Sequence, residues 1–298
     1  MKIGIFNLYM ALNFNTLLTR TLTAAVFVAV LISAIGHSFL SFSVLFAVVA
    51  LWGLLEFYKI SEKLGAKPFK RVGYLAAILL FVGGFLHNAG LYNLNFAAFY
   101  AEAFVVFALI FFAALFSKNA HPITDAAFTI TGVVYAVLPF VILNYISCID
   151  KTIVNEAVFD FNSSYNHHLI LGLFFLIWAN DTYAYLVGSM IGKHKLFERI
   201  SPGKTWEGTI GAGILTAASA FLIGTWFPEL ATSHWLVIAV IVVLAGTLGD
   251  LVESLLKRQA GIKDSGRIMP GHGGILDRFD SLMFIAPFVY LYLSLIFS

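Results

Sequence analysis

Cysteine is almost missing from this chain: Cys148 stands alone in 298 residues. A single thiol excludes an internal disulfide and any zinc site built from cysteines. Charge is scarce too. Asp, Glu, Lys and Arg make up 11% of the residues, where a soluble domain carries about 25%. The formal net charge is only +2 and no basic block interleaved with aromatics occurs, so no nucleic-acid partner is expected. Internal repeats, low-complexity tracts and Pro/Gly/Ser-rich linkers are absent from the sequence. One domain covering 1–298 is the economical reading.

What the chain has in abundance is apolar length. Hydrophobic residues reach 60%, and mean hydropathy is +0.90. A helix needs about 20 apolar residues to cross roughly 30 Å of hydrocarbon. Stretches near that length recur at 20–37, 38–58, 72–92, 96–116, 125–148, 168–191, 208–227, 234–252 and 282–297. The expectation is therefore an all-α integral membrane protein of about nine transmembrane helices, embedded in the lipid bilayer.

Charged loops set the expected orientation. Lys59, Lys63, Lys67, Lys70 and Arg71 follow the second stretch, Lys193, Lys195, Arg199 and Lys204 the sixth, and Lys257, Arg258, Lys263, Arg267 and Arg278 the eighth. The positive-inside rule puts all three loops in the cytoplasm. Asp150, Glu156 and Asp160 face Lys151 alone between the fifth and sixth stretches, so that loop is expected outside. Nine spans then require a cytoplasmic N-terminus and an external C-terminus. The polar loops would face the compartment holding nucleotides and free Mg²⁺, as in an inner-membrane protein with a cytoplasmic site.

Three polar clusters interrupt the C-terminal half. Asn180-Asp181-Thr182 lies within the sixth stretch, and a carboxylate inside a span marks a functional site unless it only packs helices. Ser201-Pro202-Gly203-Lys204-Thr205-Trp206-Glu207-Gly208 precedes the seventh. It suits a helix cap and equally an anion site at a helix N-terminus, although it is no Walker A loop.

The third cluster, 254–281 with Gly249-Asp250 upstream, interleaves Asp, Lys/Arg and Gly. Asp250, Asp264, Asp277 and Asp280 offer the hard oxygens that Mg²⁺ takes. Lys257, Arg258, Lys263, Arg267 and Arg278 offer matching cations for phosphate. Pro270, Gly271, Gly273 and Gly274 permit a tight turn against a ligand, and His272 can orient phosphate or donate a proton. A solvated loop with surface ion pairs is the alternative.

Ser254-Leu255-Leu256-Lys257-Arg258, Lys263-Asp264 and Pro270-Gly271-His272-Gly273-Gly274-Ile275-Leu276-Asp277-Arg278-Phe279-Asp280 together resemble the C-terminal signature of the phosphatidate cytidylyltransferases, or CDP-diacylglycerol synthases. NDTYAYLVGSMIGKHKL and SPGKTWEG resemble that family's other blocks, in the same order. The similarity spans roughly 170–298; the N-terminal half matches by hydropathy only. Gly203 departs from the pattern, because the family more often has Lys beside the retained Lys204.

The resemblance implies transfer of a cytidylyl group from CTP to phosphatidate, with Mg²⁺ as cofactor and a homodimer as the typical assembly. It implies a catalytic half at 168–298 and a scaffold of helices at 1–167. Asp250 and Asp277 become the principal metal ligands, supported by Asp280 or Asp264, with Lys263 and His272 completing the catalytic set. Ser201, Lys204 and Thr205 would hold nucleotide phosphates. Lys257, Arg258, Lys263 and Arg278 would neutralise the triphosphate or the lipid phosphate, Gly273 and Gly274 would approach a ligand by their backbone, and Asn180 and Asp181 would complete the cavity. Glu56, Glu102 and Asp125 in the N-terminal helices are given no catalytic role. The competing classes are a transporter, whose paired halves are not visible here, and another membrane enzyme. A CTP-dependent polyprenol or phytol kinase is not expected to carry the full signature. The motif of a CDP-alcohol phosphatidyltransferase is absent.

Overall fold

The computed structural model describes residues 2–88, 96–149, 165–266, 268 and 273–297. Ten helices follow one another: α1 Lys2–His37, α2 Phe39–Lys63, α3 Lys70–Asn88, α4 Phe96–Leu115, α5 Pro122–Ala136, α6 Leu138–Ser147, α7 His167–Ile191, α8 Trp206–Trp226, α9 Thr232–Gln259 and α10 Leu276–Ile296. Between α7 and α8 lies a small antiparallel ribbon of β1, Lys195–Phe197, and β2, Ser201–Thr205, in which Lys195 pairs with Thr205. Hydropathy gives no hint of this ribbon, because its strands are short and polar.

Among the described residues, seven helical segments are long and apolar enough to cross a membrane, with α5 and α6 counted together as Pro122–Ser147. This is a multi-pass, all-α membrane architecture. The count differs from the expected nine. The first and fourth stretches are helical, but among the described residues only the shorter pieces Thr21–His37 and Ala103–Leu115 are apolar throughout. Arg20 precedes the first piece and Glu102 the second.

Local chemistry explains several boundaries. Ser38 and Ser41 form a reciprocal capping box that starts α2, satisfying N–H groups that have no partner within the helix. Pro139, in the first turn of α6, breaks the 125–148 stretch into two helices, with Val137 at the joint. Thr205 Oγ1 accepts the Gly208 N–H at 3.2 Å and caps α8. At 28 residues, α9 is about 42 Å long, more than the hydrocarbon thickness, so its polar last turns extend the helix beyond the apolar stretch.

In the C-terminal half, α8 packs between α7 and α9, and α10 returns against α9 while also resting on α6. Gly249 makes the α9–α10 approach possible, since a Cβ there would sit 2.5 Å from the Asp280 carbonyl oxygen. At the centre of the bundle, Phe279 meets the rings of Phe27, Phe46, Phe140 and Phe174 at centroid distances of 5.8, 6.1, 5.4 and 6.5 Å. It is 2% exposed. The phenylalanine of the Asp277-Arg278-Phe279-Asp280 signature is thus the anchor that ties α10 to α1, α2, α6 and α7, and its flanking carboxylates are placed by that anchor.

Candidate active site

A cavity of about 450 Å³ opens between α7, β2, α8 and α9. Asn180, Asp181, Tyr185 and Ser189 line it from α7, Ser201, Gly203, Lys204 and Thr205 from β2, Thr247 and Asp250 from α9, and Ser281 from α10. The first two polar clusters of the sequence therefore meet the start of the third in space.

Lys204 Nζ reaches Asp250 Oδ2 at 2.5 Å, joining β2 to α9. The other oxygen of Asp250 accepts the Ser254 hydroxyl at 3.2 Å. Next to Asp250 stand Glu253, one helical turn on, and Asp280 from α10. Each contributes an oxygen, and the three oxygens lie within 4.8 Å of one another. The Asp280 carboxylate also accepts the Ser281 N–H at 2.7 Å.

Glu253 is completely buried; its Oε2 meets the Lys257 ammonium and its Oε1 has no partner among the described residues. Its sole charge partner among the described residues is the Lys257 ammonium. A buried carboxylate without hydrogen bonds is costly unless a cation compensates it. Among the described residues, four carboxylates, Asp250, Glu253, Asp277 and Asp280, meet two ammonium groups, Lys204 and Lys257. The hard oxygens, their spacing and the unpartnered Glu253 Oε1 fit a divalent cation of the Mg²⁺ kind.

Asp277 lies outside the trio. Its Oδ1 accepts from Lys257 Nζ at 2.6 Å, and its Oδ2 accepts the Ser265 N–H at 2.8 Å, the Ser265 hydroxyl at 2.9 Å and the Gly274 N–H at 2.8 Å. Those contacts tie Ser265 and Gly274 to the first turn of α10. Lys257, expected on phosphate, is likewise an internal counterion held between Glu253 and Asp277, its side chain 12% exposed.

Arg258 turns away from the cavity towards the carbonyl oxygens of Ile200 and Ile262, both at 3.4 Å. Arg278 is exposed on the first turn of α10. Lys263 and Asp264 are exposed in a separate cleft against α2. Gly273 adopts φ +81 beside Asp277, the left-handed backbone that favours glycine. His272 lies outside the described residues.

The sequence reading left out Glu253 and gave Glu56 no role. Glu253 follows Asp250 by three positions, a spacing that puts both on one helix face, and that was its available signal. Glu56, 2% exposed on α2, accepts the Ile275 and Leu276 N–H groups, each at 3.0 Å, and the Ser265 hydroxyl at 2.9 Å. Its signal was a lone carboxylate in an apolar span.

A profile described as "Cytidylyltransferase family" matches residues 18–296. The chain belongs to the cytidylyltransferase family. The phosphatidate cytidylyltransferase of Staphylococcus haemolyticus (strain JCSC1435) is 36% identical over 275 residues, covering 90% of this chain and 95% of that protein. Those of Staphylococcus aureus (strain COL) and Staphylococcus epidermidis (strain ATCC 35984) are each 37% identical over 276 residues, with the same coverage. The family likeness expected from the C-terminal signature thus extends through the N-terminal half, where only hydropathy had matched. As a cytidylyltransferase of the phosphatidate kind, this enzyme carries the family's C-terminal signature on the ends of α9 and α10 that surround the carboxylate cluster.

Proposed function

We propose that the protein transfers a cytidylyl group from CTP to phosphatidate, giving CDP-diacylglycerol and pyrophosphate, in the cavity between α7, β2, α8 and α9. The observation that carries this reading is the meeting of Lys204 with Asp250 at 2.5 Å, beside three carboxylate oxygens within 4.8 Å of one another, in a chain of this family.

Asp250, Glu253 and Asp280 would hold Mg²⁺, which when bound neutralises phosphate oxygens and the charge of a departing pyrophosphate. An oxygen of the lipid phosphate forms the new bond to the α-phosphorus, and the bond from that phosphorus to the bridging oxygen of the β-phosphate breaks. The attacking oxygen is already ionised, so little base catalysis is needed. Bringing two anions together is the obstacle, and it is met by positioning and fixed charge.

Lys204 is the cation best placed for the nucleotide phosphates, since its ammonium already sits where anion and metal ligands converge. Ser201 and Thr205 supply hydroxyls on the same strand, and Asn180 and Asp181 border the same space from α7. Asp277 and Lys257 act from behind, fixing the loop and the buried Glu253. Residues 168–298 thus form the catalytic half, with Glu56 as a contribution from the scaffold half. The lysine- and arginine-rich loops favour a cytoplasmic mouth, on the side of the membrane that holds CTP.

The test uses purified protein in phosphatidylcholine nanodiscs with phosphatidate and CTP labelled at either the α- or the γ-phosphate. Label from the α-position entering lipid, with release of pyrophosphate, is the expected result. Label from the γ-position entering a lipid alcohol would make the protein a kinase and overturn the reading.

A further inference from the structure

Glu56, Lys59 and Lys63 follow one another on α2 at spacings of three and four, so they share one helix face. Glu56 holds the signature loop down through Ser265, Ile275 and Leu276. Beside that latch the same helix face and the loop enclose a cleft of about 400 Å³. Its polar walls are Lys59 and Lys63 from α2 and Lys263, Asp264 and Ser265 from the loop. No residue lines both this cleft and the cavity of the proposed reaction.

Three ammonium groups thus face one carboxylate. Among the described residues none of the three lysines forms an ion pair, whereas Lys70, at the same end of the molecule, is paired with Glu62 at 2.8 Å. Like charges gathered in one cleft repel one another, and flexible lysines on an unconstrained surface spread into water. Here Lys263 stands two residues before an anchored Ser265. Ser265 forms the floor of the cleft, 8% exposed and bonded to both Glu56 and Asp277. A Cβ on Gly274, behind it, would meet Ser265 Oγ and both Glu56 oxygens within 2.5 Å.

We propose that this cleft is a second binding site, for a phosphate group, carried either by an acidic lipid headgroup or by a free phosphate such as pyrophosphate. A phosphate presents several oxygens and more than one negative charge, the complement of lysines acting as point charges. Lys263 and Asp264, which lie away from the reaction cavity, find a role here. The site stands independently of the reaction proposed above, because binding in the cleft needs no turnover.

The experiment uses the full chain in phosphatidylcholine nanodiscs with EDTA present, so that metal-dependent binding in the reaction cavity is suppressed. Binding of inorganic pyrophosphate is measured by calorimetry. Headgroup binding is measured as the rise in the thermal unfolding midpoint when phosphatidylglycerol replaces part of the phosphatidylcholine. Wild type is compared with the double variant Lys59→Gln/Lys63→Gln and with Lys70→Gln, a lysine at the same end but outside the cleft. The expected result is a response in wild type and Lys70→Gln to at least one probe. In the double variant pyrophosphate binding falls about tenfold or more, or the phosphatidylglycerol shift is lost, as removal of two near-surface lysines implies. Response to pyrophosphate alone assigns a free phosphate, response to phosphatidylglycerol alone a headgroup, and response to both the shared chemistry. The proposal is overturned if wild type answers neither probe, if the double variant matches wild type, or if Lys70→Gln loses as much as the double variant.

Discussion

The Glu56 carboxylate accepts the backbone N–H of Leu276 at 3.0 Å, tying α2 to the first turn of α10 across 220 residues of chain. Because Asp277 and Asp280 lie on that turn and the next, this contact sets where two signature carboxylates stand. Glu56→Ala leaves the Ile275 and Leu276 N–H groups unsatisfied, each at a cost of about 1–3 kcal/mol, while the Ser265 hydroxyl keeps Asp277. The expected outcome is a lower unfolding midpoint together with lost activity, measured by thermal unfolding in nanodiscs and by CMP transfer. Glu56→Gln is expected to fall short of wild type as well, because its amide NH₂ would face backbone N–H groups. A Glu56→Ala protein with unchanged stability would show that the latch does not matter.

Gly249 lets α9 and α10 close on each other. The Cβ of Gly249→Ala would lie 2.5 Å from the Asp280 carbonyl oxygen, so the helices must separate or the backbone must shift. Overpacking of this kind costs about 1–3 kcal/mol. Transfer activity is expected to fall further than stability alone would explain, since Asp250 and Asp280 are pushed apart. Comparing activity per folded molecule with the unfolding midpoint checks this.

Asp277 and Asp250 are expected to behave differently when neutralised. Asp277→Asn leaves Lys257 with one buried carboxylate fewer and puts an amide among the Ser265 and Gly274 donors, so the unfolding midpoint should drop by several degrees, from a loss of about 2–3 kcal/mol. Asp250→Asn relieves repulsion within a carboxylate trio that has too few cations, so stability in EDTA should hold or rise. Equal destabilisation by both substitutions would contradict this division between a loop-fixing aspartate and a metal-binding one.

Hydropathy located the helices well where a span is apolar to its ends, as with the stretch 168–191 and α7, or 208–227 and α8. It stopped short where a helix carries polar cargo. The eighth stretch ends at 252 but α9 runs to Gln259, and the ninth begins at 282 although α10 starts at Leu276; Lys257 on α9 pairs with Glu253 and with Asp277 of α10 in these polar turns. Within the site, the residue types were legible and the pairings were not. Sequence order says that Asp250, Lys204 and Asp280 belong to one chemistry, but only the fold places Lys204 on Asp250 and turns Lys257 inwards to Glu253 and Asp277. Glu56 lies outside the recognised signature, so no spacing rule could link it to Ile275 and Leu276. Phe279 read as one letter of a motif, and its four ring contacts depend on helices from both halves of the chain.

The most direct measurement of the central claim is a Mg²⁺ titration of CMP transfer by wild type, Asp250→Asn and Glu253→Gln at equal amounts of folded protein. The account predicts strict Mg²⁺ dependence for wild type, loss of about a hundredfold or more in kcat for Asp250→Asn, and a higher Mg²⁺ requirement for Glu253→Gln with its stability in EDTA retained. Wild-type rates and an unchanged Mg²⁺ midpoint in both variants would contradict it.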